Sequence, residues 1–131
     1  MQESKKVLII DDDVKLTEIY SEVLKGAGFE IVVVNQANTA IESISAQRPD
    51  LVLLDILMPE VSGLELLETI KNNESINQIP IVFLTNLRDD DTIKQGLAKG
   101  AIGYLMKTEL TPGQVVEEVK FFLNQVGKDQ T

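Results

Sequence analysis

Three consecutive carboxylates, Asp11, Asp12 and Asp13, stand directly after the apolar run Val7-Leu8-Ile9-Ile10. Like charges packed at one point repel and raise each other's pKa, so holding them together calls for a compensating cation. Clustered carboxylate oxygens suit a hard divalent ion, Mg²⁺ or Mn²⁺. The plainer reading is a loop whose last acid caps a helix, and for Asp13 that reading is preferred. A fourth acid, Asp55, follows Leu51-Val52-Leu53-Leu54; Thr85 follows Ile81-Val82-Phe83-Leu84, and Lys107 comes soon after Ile102-Gly103-Tyr104-Leu105. Singly, Asp55 and Thr85 read as turn residues and Lys107 as a solvated surface charge. Together they describe different chemistry. A carboxylate beside a bound cation can accept a phosphoryl group, and a hydroxyl and an ammonium suit that group's oxygens.

The apolar runs are what would bring these residues together. Four of them, with Ile31-Val32-Val33-Val34 as the second in chain order, are continuous rather than alternating, and Ile102-Gly103-Tyr104-Leu105 is a weaker fifth. Continuous Val/Ile/Leu runs mean strands covered on both faces, as in a parallel sheet with helices above and below. Between them the period becomes helical. Leu16, Ile19, Tyr20, Val23, Leu24 and Ala27 make one stripe, stopped by Gly28. Ala40, Ile41 and Ile44 make a second, closed by Pro49. Leu64, Leu67 and Ile70 follow Gly63 and end at Asn72-Asn73. Ile93, Leu97 and Ala98 end near Gly100. Val115, Val116, Val119, Phe122, Leu123 and Val126 make the fifth, with Thr111 as its N-cap and Pro112 at its first position.

Five alternating strand and helix units predict a three-layer α/β sandwich. Right-handed crossovers and the size fit a five-stranded parallel sheet in the flavodoxin-like order 2-1-3-4-5, although periodicity does not itself reveal the order. In such sheets ligands bind at the carboxyl ends of the strands, near the switch point between the first and third. That is where the acids, Thr85 and Lys107 fall.

At 131 residues the chain fits one domain, 1–131, with an ordered core expected over about residues 5–126. Hydrophobic residues at 44% and charged ones at 25% are near the soluble globular average, which excludes disorder as the main feature. Twelve Lys and Arg against 21 Asp and Glu give a formal charge of −9, the wrong sign for direct nucleic-acid binding. Without His or Cys, zinc sites, Cys or His nucleophiles and a Ser-His-Asp triad are all excluded. The polar start Met1-Gln2-Glu3-Ser4-Lys5-Lys6 leads into no signal-peptide core, and no apolar run approaches the roughly 20 residues of a spanning helix. The expectation is a cytoplasmic protein without membrane contact.

The chain resembles the receiver domain of bacterial two-component response regulators over essentially its whole length. The resemblance rests on the acid pair after strand one, Leu53-Leu54-Asp55-Ile56-Leu57-Met58-Pro59 with Gly63, Thr85, and Tyr104 to Lys107. It implies that Asp55 is the phosphoacceptor, taking a phosphoryl group from a histidine of a sensor kinase or phosphotransferase. It implies Mg²⁺ bound by Asp12 directly, by Asp11 through water, by Asp55 and by the Leu57 backbone carbonyl. Lys107 and Thr85 would contact phosphoryl oxygens. Movement of Thr85 would be linked to inward rotation of Tyr104, changing the surface of helix four, strand five and helix five toward an output protein or effector domain. The resemblance also allows a homodimer through that surface.

Three departures stand out. Thr108 occupies the place where the family usually has Pro, often after a cis bond. A cis bond before Thr costs about 2.5–4 kcal/mol, so either that strain is kept or the loop is rearranged. Asn86 follows Thr85 where Ala or Gly is common, and would narrow access for the phosphodonor. Leu57 and Leu87 lie where the family varies residues that tune loss of the phosphoryl group, and two apolar side chains there would shield it from water.

Two other classes compete. A phosphorylation-independent receiver-like scaffold would draw on Asn86 and Thr108. An aspartyl phosphatase of the haloacid dehalogenase type would read Asp11 and Asp13 as its D-x-D, with Asp11 carrying the phosphoryl group. Flavin binding lacks a Ser/Thr/Gly-rich loop after strand one. The switch reading predicts self-phosphotransfer and slow autodephosphorylation without turnover of a substrate.

Overall fold

The computed structural model describes residues 4–129. Five parallel strands alternate with five helices: β1 (Lys6–Ile10), α1 (Val14–Gly26), β2 (Glu30–Val34), α2 (Ala40–Gln47), β3 (Leu51–Leu54), α3 (Gly63–Lys71), β4 (Ile81–Thr85), α4 (Asp90–Ala98), β5 (Gly103–Met106) and α5 (Pro112–Asp129). Short 3₁₀ turns, Ala37–Thr39 and Lys107–Glu109, precede α2 and α5. The strand order is β2-β1-β3-β4-β5.

The sheet divides the interior into two cores because successive side chains of a strand face opposite ways. Leu8 and Ile10 of β1 face Ala40 and Ile44 of α2 and Leu66, Leu67 and Ile70 of α3. Val7 and Ile9 face Tyr20 and Leu24 of α1 and Val115, Val116 and Val119 of α5. Both faces are covered, which is why the strand sequences run continuously apolar.

The helix ends follow local chemistry. Asp13 caps α1 by accepting the Leu16 N–H at 3.1 Å. Ser62 caps α3 through the Glu65 N–H at 3.2 Å. At α5 the Thr111 hydroxyl accepts the Gln114 N–H at 3.1 Å while Gln114 Oε1 accepts the Thr111 N–H at 2.8 Å, a reciprocal capping box.

Several apolar positions differ from the sequence reading. Ile19 is 45% exposed, and Thr17 is the buried residue on that part of α1. Leu97 and Ala98 are exposed, and Gly96 is the residue of α4 that meets the sheet. A Cβ at Gly96 would stand 2.2 Å from the Phe83 ring, so the absence of a side chain is what lets α4 approach β4. Ile102 lies before β5 and is 42% exposed. A glycine leaves a gap in a hydrophobic stripe, so periodicity shifted the buried face of α4 to its neighbours.

Candidate functional site

Register places the polar residues. Ile10 is level with Leu54 across β1 and β3, so the next residues, Asp11 and Asp55, emerge side by side. The Asp55 N–H donates to the Ile10 carbonyl at 3.0 Å and completes that junction. On the other side of β3, Thr85 is level with Met106, which sets Lys107 one residue beyond Thr85 on the same rim.

The acids converge there. Asp11, Asp12 and Asp55 each present a carboxylate oxygen within 4.8 Å of the others. Asp11 and Asp55 are 1% and 5% exposed, and Asp12 is open to solvent. Lys107 Nζ sits between the two buried acids, 2.5 Å from Asp11 Oδ2 and 3.0 Å from Asp55 Oδ2. The other oxygens are fixed by main chain: Asp11 Oδ1 accepts the Asp13 N–H at 3.0 Å, and Asp55 Oδ1 accepts the Leu57 N–H at 3.1 Å.

Three carboxylates against one ammonium leave two negative charges uncompensated, the charge of one divalent cation. Asp11 Oδ2 is sealed from solvent and faces the Lys107 ammonium. Hard oxygen donors and excess negative charge fit a divalent ion such as Mg²⁺. Burial pushes the Asp11 carboxyl above its ordinary range, against the Lys107 and Asp13 N–H donors that pull it down. Burial works to lower Lys107, but hydrogen bonds and charge from Asp11 and Asp55 overcome it and hold the ammonium above its usual value.

Thr85 is fully buried, and its Oγ1 accepts the Leu87 N–H at 3.3 Å. That leaves its hydroxyl proton available to donate. Tyr104, half-buried on β5, packs against the core face that holds Phe83, with its hydroxyl 4.0 Å from Met106 Sδ. Leu57 is 52% exposed, whereas Leu87 packs partly into the same core. Asn86 is exposed. There is no cis peptide bond among the described residues; Lys107–Glu109 form a 3₁₀ turn, and Lys107 still reaches both acids. The peptide bond before Thr108 is trans, as for most non-proline residues. Thr108 Oγ1 instead accepts a hydrogen bond from Arg88 Nη2 at 3.4 Å.

One requirement was carried by the family motif alone. The main chain of α3 comes so close to the loop after β3 that a Cβ at Gly63 would lie 2.2 Å from the Asp55 carbonyl oxygen. The Gly63 N–H donates to the Ile56 carbonyl at 2.9 Å at this contact. Asn35 and Thr17, which hydrogen-bond behind Asp11, gave no sequence signal, since an Asn after a strand reads as a turn residue.

Residues 7–120 match the response regulator receiver domain, and the chain belongs to that family. It is 34% identical over 116 residues to the DNA-binding response regulator MtrA of Mycobacterium tuberculosis, covering 88% of this chain and 49% of the relative. It is 35% identical over 123 residues to the phosphate regulon transcriptional regulatory protein PhoB of Pseudomonas aeruginosa, covering 94% and 53%. The chain thus spans about half the length of these curated relatives. Among solved structures, a CheY-like receiver domain protein from Methanospirillum hungatei superposes with a TM-score of 0.88 at 26% identity, covering 96% of this chain and 98% of that one. The BeF3-activated N-terminal receiver domain of Klebsiella pneumoniae RstA gives 0.82 at 30% identity, covering 91% and 98%.

Proposed function

We propose that this chain is a phosphorylation-dependent signalling switch whose phosphoacceptor is Asp55. The observation that carries this reading is the Lys107 ammonium held between Asp11 and Asp55 inside a cluster of three carboxylates. A carboxylate oxygen of Asp55 attacks phosphorus in a phosphohistidine of a sensor kinase or histidine phosphotransferase. The P–N bond breaks as the O–P bond forms, and the leaving imidazole takes up a proton. Lys107 is placed to stay with the Asp55 side and meet a phosphoryl oxygen. Thr85 supplies a hydroxyl proton to another oxygen. Asp11, Asp12, Asp55 and the Leu57 carbonyl would hold Mg²⁺ or Mn²⁺, which when bound supplies positive charge to the transferring group.

The buried Thr85 and the neighbouring Tyr104 couple this rim to α4, β5 and α5. That side carries the exposed apolar residues Leu97, Ile102 and Phe121, suited to an output protein, an effector domain or a second copy of the chain. DNA binding is named for relatives about twice as long as this chain; its own charge of −9 supports a switch rather than a direct nucleic-acid contact. No described helix is long and apolar enough to cross a membrane. We place the protein in the cytoplasm, where histidine kinases present their donor. The D-x-D phosphatase reading is disfavoured because Asp13 spends its carboxylate capping α1.

Intact mass after incubation with a small phosphodonor tests the proposal. Wild type is expected to gain a single phosphoryl group only with Mg²⁺, and Asp55→Ala to gain none. An adduct that survives loss of Asp55 would reject the assignment. The lifetime of that adduct tests the apolar neighbours. Leu57→Asn with Leu87→Glu is expected to speed its loss, mainly through the exposed Leu57, and an unchanged rate would remove the shielding role.

A further inference from the structure

The acids are not held by their own loop alone. The Asp11 N–H donates to the Val34 carbonyl at 3.0 Å, the last main-chain rung between β1 and β2. Past that rung the chain turns away from the sheet toward the Ala37–Thr39 turn. The Asp11 carbonyl takes its donor from a side chain instead: Asn35 Nδ2, at 2.8 Å. The same nitrogen lies 3.1 Å from Thr17 Oγ1, and the Thr17 hydroxyl spends its proton on the Val14 carbonyl at 3.0 Å. Both Asn35 partners act as acceptors, so only the NH₂ end of its amide satisfies them. Thr17 is 1% exposed, and a buried hydroxyl in α1 has its use here.

We infer that Asn35 is a positioning residue for the cation site, clamping the main chain of Asp11 to the first turn of α1. The inference rests on the reading of Asp11, Asp12 and Asp55 as that site. Asp11 and Asp12 are consecutive, so the rotation of the Asp11 peptide sets where both carboxylates point. Asp11 is already held at Oδ1 by the Asp13 N–H and at Oδ2 by Lys107. The Asn35 bond fixes the remaining polar atom of that residue. Partners that orient a ligand without touching the metal typically change affinity 10- to 100-fold when removed.

Calorimetric titration with Mg²⁺, beside thermal unfolding of the metal-free protein, separates positioning from packing. Asn35→Ala is expected to weaken Mg²⁺ binding by roughly 10- to 100-fold. Asn35→Ser, whose shorter side chain offers one donor, is expected to fall between, and it carries the test if the alanine variant does not fold. Thr17→Val removes the anchor on α1 but keeps the bond from Asn35 to Asp11, so it should lower the melting temperature while weakening Mg²⁺ binding less than Asn35→Ala does. Folded Asn35 variants that melt earlier but bind Mg²⁺ as wild type does would overturn the inference. Asp12→Ala is the control for the site itself. If that variant binds Mg²⁺ normally, the cation-site reading has failed, whatever Asn35 does.

Discussion

Lys107→Met is expected to cost the metal-free protein about 3–5 kcal/mol, the usual penalty for removing one partner of a buried ion pair. The Lys107 side chain is 7% exposed, and those of Asp11 and Asp55 are 2% and 6% exposed. Methionine replaces the stem volume but not the charge, so two buried carboxylates then face each other with Asp12 beside them. The loss should shrink on acidification. Protonation of Asp11, whose carboxyl burial already pushes up, removes the repulsion in the variant, and the same protonation weakens the Lys107–Asp11 pair that favours the wild type. Added Mg²⁺ should recover part of the loss by supplying the missing positive charge. Denaturant unfolding at neutral and acidic pH, with and without Mg²⁺, checks all three. A loss below about 1 kcal/mol, typical of surface pairs, would mean Lys107 is effectively solvated. Phosphoryl uptake on Asp55 should fall as well, since no other described cation lies between the two acids.

Gly63→Ala carries the second large effect. The added methyl would meet main-chain atoms, the Asp55 carbonyl oxygen at 2.2 Å and Ile56 Cα at 2.6 Å, rather than a flexible side chain. The start of α3 and the strand end bearing Asp55 must therefore separate. Overpacking of this kind costs about 1–3 kcal/mol, and contacts with backbone belong at the upper end. Because the displaced atoms belong to Asp55 itself, phosphorylation and Mg²⁺ affinity should fall together with stability. Gly26→Ala is the matched control. Nothing lies within 4 Å of a Cβ there, at the last residue of α1, so the change should be neutral or gain up to about 1 kcal/mol. Equal melting temperatures for the two variants would show that α3 can retreat without disturbing the site.

Helix α4 shows how such close approach escapes a reading by periodicity. Ile93, Leu97 and Ala98 have helical spacing, yet the contact that seats α4 is Gly96 against the Phe83 ring. The packing there depends on a missing side chain. Hydrophobic patterns record presence, so they misplaced this face while placing α5 correctly. On α1, Ile19 is exposed and Thr17 is buried with its hydroxyl bonded to the Val14 carbonyl and the Asn35 amide, which a hydrophobic pattern does not register.

The alternation of strands and helices, the doubly covered sheet, the caps at Asp13 and Thr111, and the residues at four strand ends are legible along the chain. Those are local properties, set by side-chain period and by the nearest few residues along the chain. The resemblance to receiver domains supplied roles for those residues. Tertiary structure alone decided that Lys107 lies between Asp11 and Asp55, that Gly63 touches the Asp55 main chain, and that Asn35 holds Asp11 from behind. Each of these joins elements distant in the chain, and its distance depends on register and on how closely helices settle on the sheet. No residue spacing encodes that, because it is fixed when the two cores pack.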